Sequence, residues 1–240
     1  MRLLILLLLA ISPFVHAADN AARYTFRAEH DPDGSGKFFM GREIAQVMGH
    51  QGAEWLERPE RETEEAPAKA IAAMGLKVGD AVADIGAGTG YFSWRLAQVV
   101  GPKGTVYAEE IQPEMLDILR TNLTSRGVRN FKEVLGTITD TKLPANSIDL
   151  AIMVDVYHEF SHPYEMIASI TRSLKPEGRI AFVEYRLEDP TVPIKRVHKM
   201  SIEQVKTEMS LQSLDYVTTV TNLPRQHVII FKHRTTAGAK

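Results

Sequence analysis

Residues Val82–Ala97 read VADIGAGTGYFSWRLA, and two kinds of pattern meet inside that stretch. The apolar run from Val82 stops at Gly86, as a short buried strand does, and from Tyr91 to Val100 apolar residues recur at helical spacing. Between them lie Gly86-Ala87-Gly88-Thr89-Gly90. Glycines are needed where the backbone turns sharply while a ligand presses against it, because a Cβ would fill the space. A dinucleotide loop reads G-x-G-x-x-G, so that a pyrophosphate meets the helix N-terminus. Here the third glycine comes one position early and Tyr91 stands in its place. Asp84, just before the loop, suits an ammonium group better than a pyrophosphate. The next strand ends in Glu109-Glu110, where a carboxylate can take both hydroxyls of a ribose.

Downstream the same alternation continues. GTVYAEE is a second strand and PEMLDILRTNLTSRG a second helix, with Pro113 in its first turn and Gly127 just past its end. NFKEVL follows as a strand, then SIDLAIMVDV, apolar enough to be buried on both faces. A helix over residues 163–174 leads to the strand GRIAFVEY. The segment SIEQVKTEMSLQSL opens with a capping-box pattern, Ser201 with Gln204, and YVTTVTNLPRQHVIIF closes the chain as two strands. Strands alternating with helices at this spacing predict an α/β fold, doubly wound, with a mostly parallel seven-stranded sheet and an antiparallel C-terminal hairpin. Ligands of such sheets bind beyond the carboxyl ends of the strands.

Upstream the pattern is weaker. Residues 19–36 are polar and turn-rich and read as loosely ordered. DPDGSG from Asp31 resembles a calcium loop, but its twelfth position is Arg42 where the ion needs a bidentate Glu, so it reads as a plain turn. FFMGREIAQVMGH spaces Ile44, Val47 and Met48 for one helical face, ended by Gly49. A charged stretch then leads into a short helix ending near Met74-Gly75. No internal repeat is visible.

The 240 residues are 44% hydrophobic and 24% charged, which suits one globular domain with trimmings. A net charge of −2 offers no global positive field for nucleic acid or an anionic membrane. With no Cys, thiolate metal sites and Cys nucleophiles are excluded. The first residues, MRLLILLLLAISPFVHAAD, have one basic residue, an apolar run from Leu3 to Ile11 and a small-residue stop, the layout of a signal peptide cleaved after Ala17 or Ala18. The run is shorter than the ~18 apolar residues of a spanning helix. The expected organisation is a leader over 1–18, an N-terminal extension with lid helices over 19–75 and the main domain over 76–235. The mature chain is expected to be exported to the periplasm or beyond, without stable membrane insertion.

VADIGAGTGYFSWRLA, with VYAEEIQPEML, LPANSIDLAIMVDVYHEF and LKPEGRIAFVEY, closely resembles the class I S-adenosylmethionine-dependent methyltransferases, in the small-molecule branch that includes quinone-biosynthesis and arsenite methyltransferases. Residues 37–62 also resemble the front end of exported bacterial methyltransferase-like proteins. The resemblance implies S-adenosylmethionine as cofactor. It matches Asp84 to the residue that helps hold the methionine end, and Gly86, Gly88 and Gly90 to the loop along the cofactor. Glu110 matches the ribose-binding acid, Ile111 lies against the adenine, and Asp155 stands beside the methionine moiety. In one respect the chain departs from the pattern. Where the family often has an Asp for the adenine amino group stands Thr137, with Asp140 as a substitute.

HEFSH, His158–His162, also fits H-E-x-x-H, the zinc-protease string. That site needs both His on one continuous helix, whereas Pro163 pushes His162 out of the α region. His158 and Glu159 therefore read as residues of the loop after the fourth strand, and Glu184 as a residue of the fifth strand. No metal is expected. The expected chemistry is transfer of a sulfonium methyl to a small-molecule acceptor, with His158 as first choice of base and Glu159 second. Tyr157, Tyr185, His198 and Lys199 fall near the same rim, and Trp55 with the 40–50 helix would form a lid. A non-catalytic cofactor binder and a zinc hydrolase are the rival readings.

Overall fold

Along the strand Ile148–Val154, Leu150 and Ile152 pack into one apolar cluster while Ile148, Ala151 and Met153 pack into another. Successive residues of a strand face opposite sides, so the apolar run from Leu150 to Val154 must be covered on both; a register shift before Leu150 puts Ile148 on the side of Ala151 and Met153. The computed structural model, which describes residues 23–234, shows that cover. The leader expected over residues 1–18 lies outside the described residues.

In chain order the elements are β1 (Tyr24–Phe26), β2 (Gly34–Phe39), β3 (Arg42–Ala45), α1 (Ala53–Leu56), α2 (Arg61–Glu64), α3 (Pro67–Ala73), β4 (Ala81–Ile85), α4 (Ser93–Val100), β5 (Thr105–Glu110), α5 (Pro113–Ser125), β6 (Phe131–Leu135), β7 (Ile148–Val154), α6 (Pro163–Ser173), β8 (Leu174–Tyr185), α7 (Ile202–Met209), β9 (Leu214–Val220) and β10 (Gln226–His233). Seven strands form one sheet in the order β6-β5-β4-β7-β8-β10-β9. The first five pair in parallel, and β10 runs antiparallel between β8 and β9. Helices α3 and α4 cover one face through Ile71, Leu96 and Val100, and α6 and α7 the other through Ile167, Ile170 and Val205. Strand order reverses at β4, so the crevice between β4 and β7 opens at the carboxyl edge beside the glycine loop. Ser201 caps α7 by accepting from Gln204 N at 3.1 Å, as its capping-box pattern predicts.

The N-terminal expectations need correction. The helix read over 40–50 is instead the strand β3 and a loop, and 24–39 is ordered as β1 and β2 of a three-stranded antiparallel sheet. Phe39 pairs with Arg42 across a two-residue turn in which Met40 (φ 47°) and Gly41 (φ 90°) both take positive φ. That geometry matches the twist of a hairpin. Tyr24, Phe39 and Ile44 bury themselves against Tyr164 of α6. This contact, at ~2 kcal/mol or so per buried side chain, outweighs the helical spacing of Ile44, Val47 and Met48. DPDGSG is the expected turn: Gly34 N donates to Asp31 O at 2.8 Å. Arg42 ties the hairpin to the main sheet's helices through a two-pronged contact with Glu208 of α7, at 2.7 and 3.0 Å.

Candidate active site

The chain leaves β4 through Gly86 and Gly88, at φ 63° and 54°. A Cβ on Gly86 would stand 2.5 Å from Val156 Cγ2, and one on Gly88 2.7 Å from Leu56 Cδ1, so both close approaches require glycine. Glu110, at the end of β5, folds back under this loop. Its carboxylate accepts from Gly88 N at 3.2 Å, Ile111 N at 2.8 Å and Gln112 N at 3.1 Å, which holds it in one orientation although burial raises its pKa.

Gly86, Gly88, Glu110, Ile111, Thr137 and Asp155 line one cavity of about 770 Å³. Asp84 and Gly90 are not on its wall. Asp84 lies beneath the loop, 2% exposed, accepting from the Ser93 hydroxyl at 2.6 Å. Burial lifts its pKa to about 7, with the Ser93 hydroxyl opposing. Gly90 faces α5, where a Cβ would meet Leu119 at 3.1 Å. Of the two expected readers of adenine only Thr137 lines the cavity, and both are engaged in local hydrogen bonds. The Thr137 hydroxyl donates to Asp140 O and accepts from Asp140 N at 3.0 Å, while the Asp140 carboxylate is taken by Lys142, Ser169 and Arg172. Glu109, read in the sequence only as Glu110's neighbour, also lines the cavity. It is 1% exposed, and its Oε1 has no hydrogen-bond partner among the described residues. Burial and the neighbouring Glu110 push its carboxyl well above the usual range.

A second, larger cavity of about 1130 Å³ adjoins the first. Met48, Leu56, Val154, Asp155 and Glu159 line both, so the partition is part apolar, with Asp155 and Glu159 as its two carboxylates. Asp155 takes φ 50°; its Oδ2 accepts from Gln226 Nε2 at 2.5 Å and its Oδ1 is unpartnered among the described residues. Its pKa is raised by burial and by the carboxylates of Glu65 and Glu184. Glu159 carries a raised pKa for the same first reason, burial. Arg58 and Arg61 line the far wall, held by the buried Glu65 at 2.6 and 2.8 Å; Tyr185, on this wall as expected, donates to Glu65 at 2.8 Å.

His158 belongs to this second cavity and not to the first. It sits in a 3-10 turn, Tyr157–Glu159, 2% exposed, with Nδ1 2.7 Å from Glu184 Oε2. Burial opposes its charge, but Glu184 prevails and raises its pKa. His198 stands edge-on to it, its Nδ1 3.2 Å from His158 Nε2; burial and His158 lower its pKa to about 4. Two expected rim residues serve the framework instead. Tyr157 is fully buried and donates to Glu208, and Lys199 donates to Val192 O at 2.6 Å. His162 caps α6 with its ring beside Ser161 and Tyr24, away from His158.

Residues 46–56 roof the first cavity. Met48 and Leu56 line it, while Trp55 belongs to the second. Gln112 fastens this roof from below, accepting from His50 N at 2.9 Å and donating to Met48 O at 3.0 Å, and Met48 N donates to Glu159 at 3.2 Å.

A family model described as a methyltransferase domain matches residues 76–227. The ubiquinone/menaquinone biosynthesis C-methyltransferase UbiE of Francisella philomiragia subsp. philomiragia is 29% identical over 148 residues, 61% of this chain and 56% of that relative. The Pseudomonas putida protein of the same name is 33% identical over 116 residues, 48% of this chain and 45% of its own length. The chain thus spans about half the length of these curated relatives. A structure described as a SAM dependent methyltransferase from Aquifex aeolicus superposes with a TM-score of 0.74 at 24% identity, over 78% of this chain and all of that one, which establishes a shared fold.

Proposed function

The chain belongs to the methyltransferase-domain family, and on that premise we propose that it binds S-adenosylmethionine in the glycine-lined cavity and methylates a small molecule held in the adjoining one. The observation that carries this reading is the pair of cavities meeting at Asp155 and Glu159. The residues fit the cofactor. Glu110 is held ready for ribose hydroxyls, the glycine loop leaves room for a ligand against the backbone, and the unpartnered Oε1 of Glu109 and Oδ1 of Asp155 offer acceptors to amino groups. When bound, the cofactor supplies a methyl group already activated on sulfonium, so the protein contributes chiefly alignment and exclusion of water. The roof over residues 46–56 and the partition do that work. An acceptor hydroxyl must also lose a proton, and His158 and Glu159 stand on the acceptor side for that task.

The acceptor is small in this reading because its cavity, bounded by Tyr185, Arg58 and the roof, has room for a small molecule beside the partition. Calorimetry with S-adenosylhomocysteine tests the cofactor site. Gly88→Val, which places a side chain where the ligand lies, and Glu110→Ala, which removes the ribose contacts, are each expected to weaken binding at least tenfold. Affinity within twofold of wild type in both, with the fold intact, would overturn the assignment.

A further inference from the structure

Three side chains from two loops beyond the carboxyl edge of the sheet aim ligand atoms at one point: His158 and Glu159 after β7, and His198 after β8. His158 Nε2 is 3.2 Å from His198 Nδ1 and 3.9 Å from Glu159 Oε1, and the last two are 3.8 Å apart. Around a tetrahedral zinc ion with bonds of about 2.0–2.1 Å, ligand atoms stand about 3.3 Å apart, so closure onto an ion asks for side-chain shifts of roughly half an ångström.

The set also has the support that metal-bound imidazoles need. Fully buried Glu184 faces His158 Nδ1 at 2.7 Å, which places the ring proton on Nδ1 and leaves the Nε2 lone pair pointing at His198 and Glu159. Tyr157 N donates to the other Glu184 oxygen at 3.0 Å, so that carboxylate is held in place. A hydrogen-bonded pair of histidines would explain the 3.2 Å contact by itself. It would not explain a carboxylate converging on both rings while a second, buried carboxylate fixes the far side of one. The Glu159 and His198 side chains are 12% and 25% exposed, so the open side of the cluster faces the larger cavity and not the core.

We infer that His158, Glu159 and His198 bind one divalent transition-metal ion, zinc or a metal of like preference, whose fourth position takes the ionisable hydroxyl of the acceptor. Two imidazoles and one carboxylate suit such an ion and leave a coordination position for an oxygen. The ion would take the lone pairs of His158 and Glu159, so that they promote deprotonation through it and not as free bases; it would lower the pKa of the bound hydroxyl, the O–H proton passing to solvent and the oxygen staying on the ion beside the partition. That role rests on the methyl-transfer reading, whereas binding of the ion does not. The set is not the one HEFSH suggests, since His162 has no part in it and the third corner comes from a residue 40 positions beyond His158.

Full-length protein stripped with a chelator and titrated with Zn²⁺ and Co²⁺, followed by elemental analysis after dialysis, tests the site. One ion per chain is expected, with visible ligand-field absorption for Co²⁺. His198→Ala and Glu159→Gln are each expected to weaken binding more than a hundredfold, Glu184→Gln ten- to a hundredfold through the ring it orients, and His162→Ala not at all. Wild-type affinity no higher than that of His198→Ala, or equal loss in His162→Ala, would overturn the proposal. Calorimetry with S-adenosylhomocysteine on the metal-free protein is read separately. Unchanged cofactor affinity beside absent metal binding sinks the metal site alone, and absent cofactor binding beside a stoichiometric ion sinks the methyl-transfer reading alone.

Discussion

Asp84 is a carboxylate whose surroundings make its charge conditional. Burial raises its pKa to about 7 against the pull of the Ser93 hydroxyl, so the ligand-free protein holds it partly protonated at neutral pH. An ammonium bound on the loop above it would favour the charged form, so binding expels a proton wherever Asp84 was protonated. Affinity for S-adenosylhomocysteine should therefore be level above pH ~7 and fall below it, approaching tenfold per pH unit, because protonation competes with the cation. Calorimetry across that range checks it, and Asp84→Asn should flatten the curve; a flat wild-type curve would remove Asp84 from the ammonium site. At this scale the sequence was legible where function is local. Gly86, Gly88 and Glu110 meet at one cavity, as their places at a turn and a strand end suggest, whereas Asp84 and Gly90 lie off its wall. Glu109 was not legible, since which of two adjacent strand-end carboxylates is left unpartnered depends on Gly136 from the next strand's end, against which its Oε1 packs.

Two elements outside the parallel sheet shape the site. The hairpin β2–β3 delivers Arg42, which pairs with fully buried Glu208 and also donates to His158 O at 3.2 Å, so it braces the turn that carries His158. Glu208 accepts from Tyr157 as well, and losing the guanidinium would leave a buried carboxylate without its counter-charge. Arg42→Met is expected to cost about 3–5 kcal/mol in a denaturant titration, well beyond a surface change. The roof over 46–56 is a different kind of element, a loop running into a 3-10 turn and the short helix α1, held by polar contacts. Gln112→Ala removes two hydrogen bonds to it, worth about 1 kcal/mol each, so cofactor release should speed up to about thirtyfold in stopped-flow measurements, with a smaller effect on melting temperature than a core substitution has. An unchanged release rate would mean that the roof does not gate the cavity.

For the whole molecule the open question is where it works. No helix among the described residues is long and apolar enough to cross a membrane, and the leader pattern over 1–18 proposes export. Fractionating cells that express the full chain is expected to yield a product shortened by the leader, outside the cytoplasm. Full-length protein in the cytosol would refute export and would remove any difficulty over supply of a cofactor made there.

The parallel sheet could be read from the sequence because its inner strands are buried on both faces and show as short, mostly apolar runs, and because glycines at a strand end have few other uses. Those are properties of short segments. The hairpin escaped that reading because Ile44, Val47 and Met48 fit a helical face by spacing alone. What makes the segment a strand is packing against Tyr164 and pairing with Glu208, contributed by residues more than a hundred positions away. The same holds at the site. HEFSH read along the chain offers His158 with His162, but the parallel pairing of β7 with β8 brings Glu184 behind His158, and the loop after β8 brings His198 in front of it. Local sequence determined the strands and turns of the parallel sheet; only the tertiary structure decided the N-terminal hairpin and which side chains meet, because burial and convergence are settled between elements and not within them.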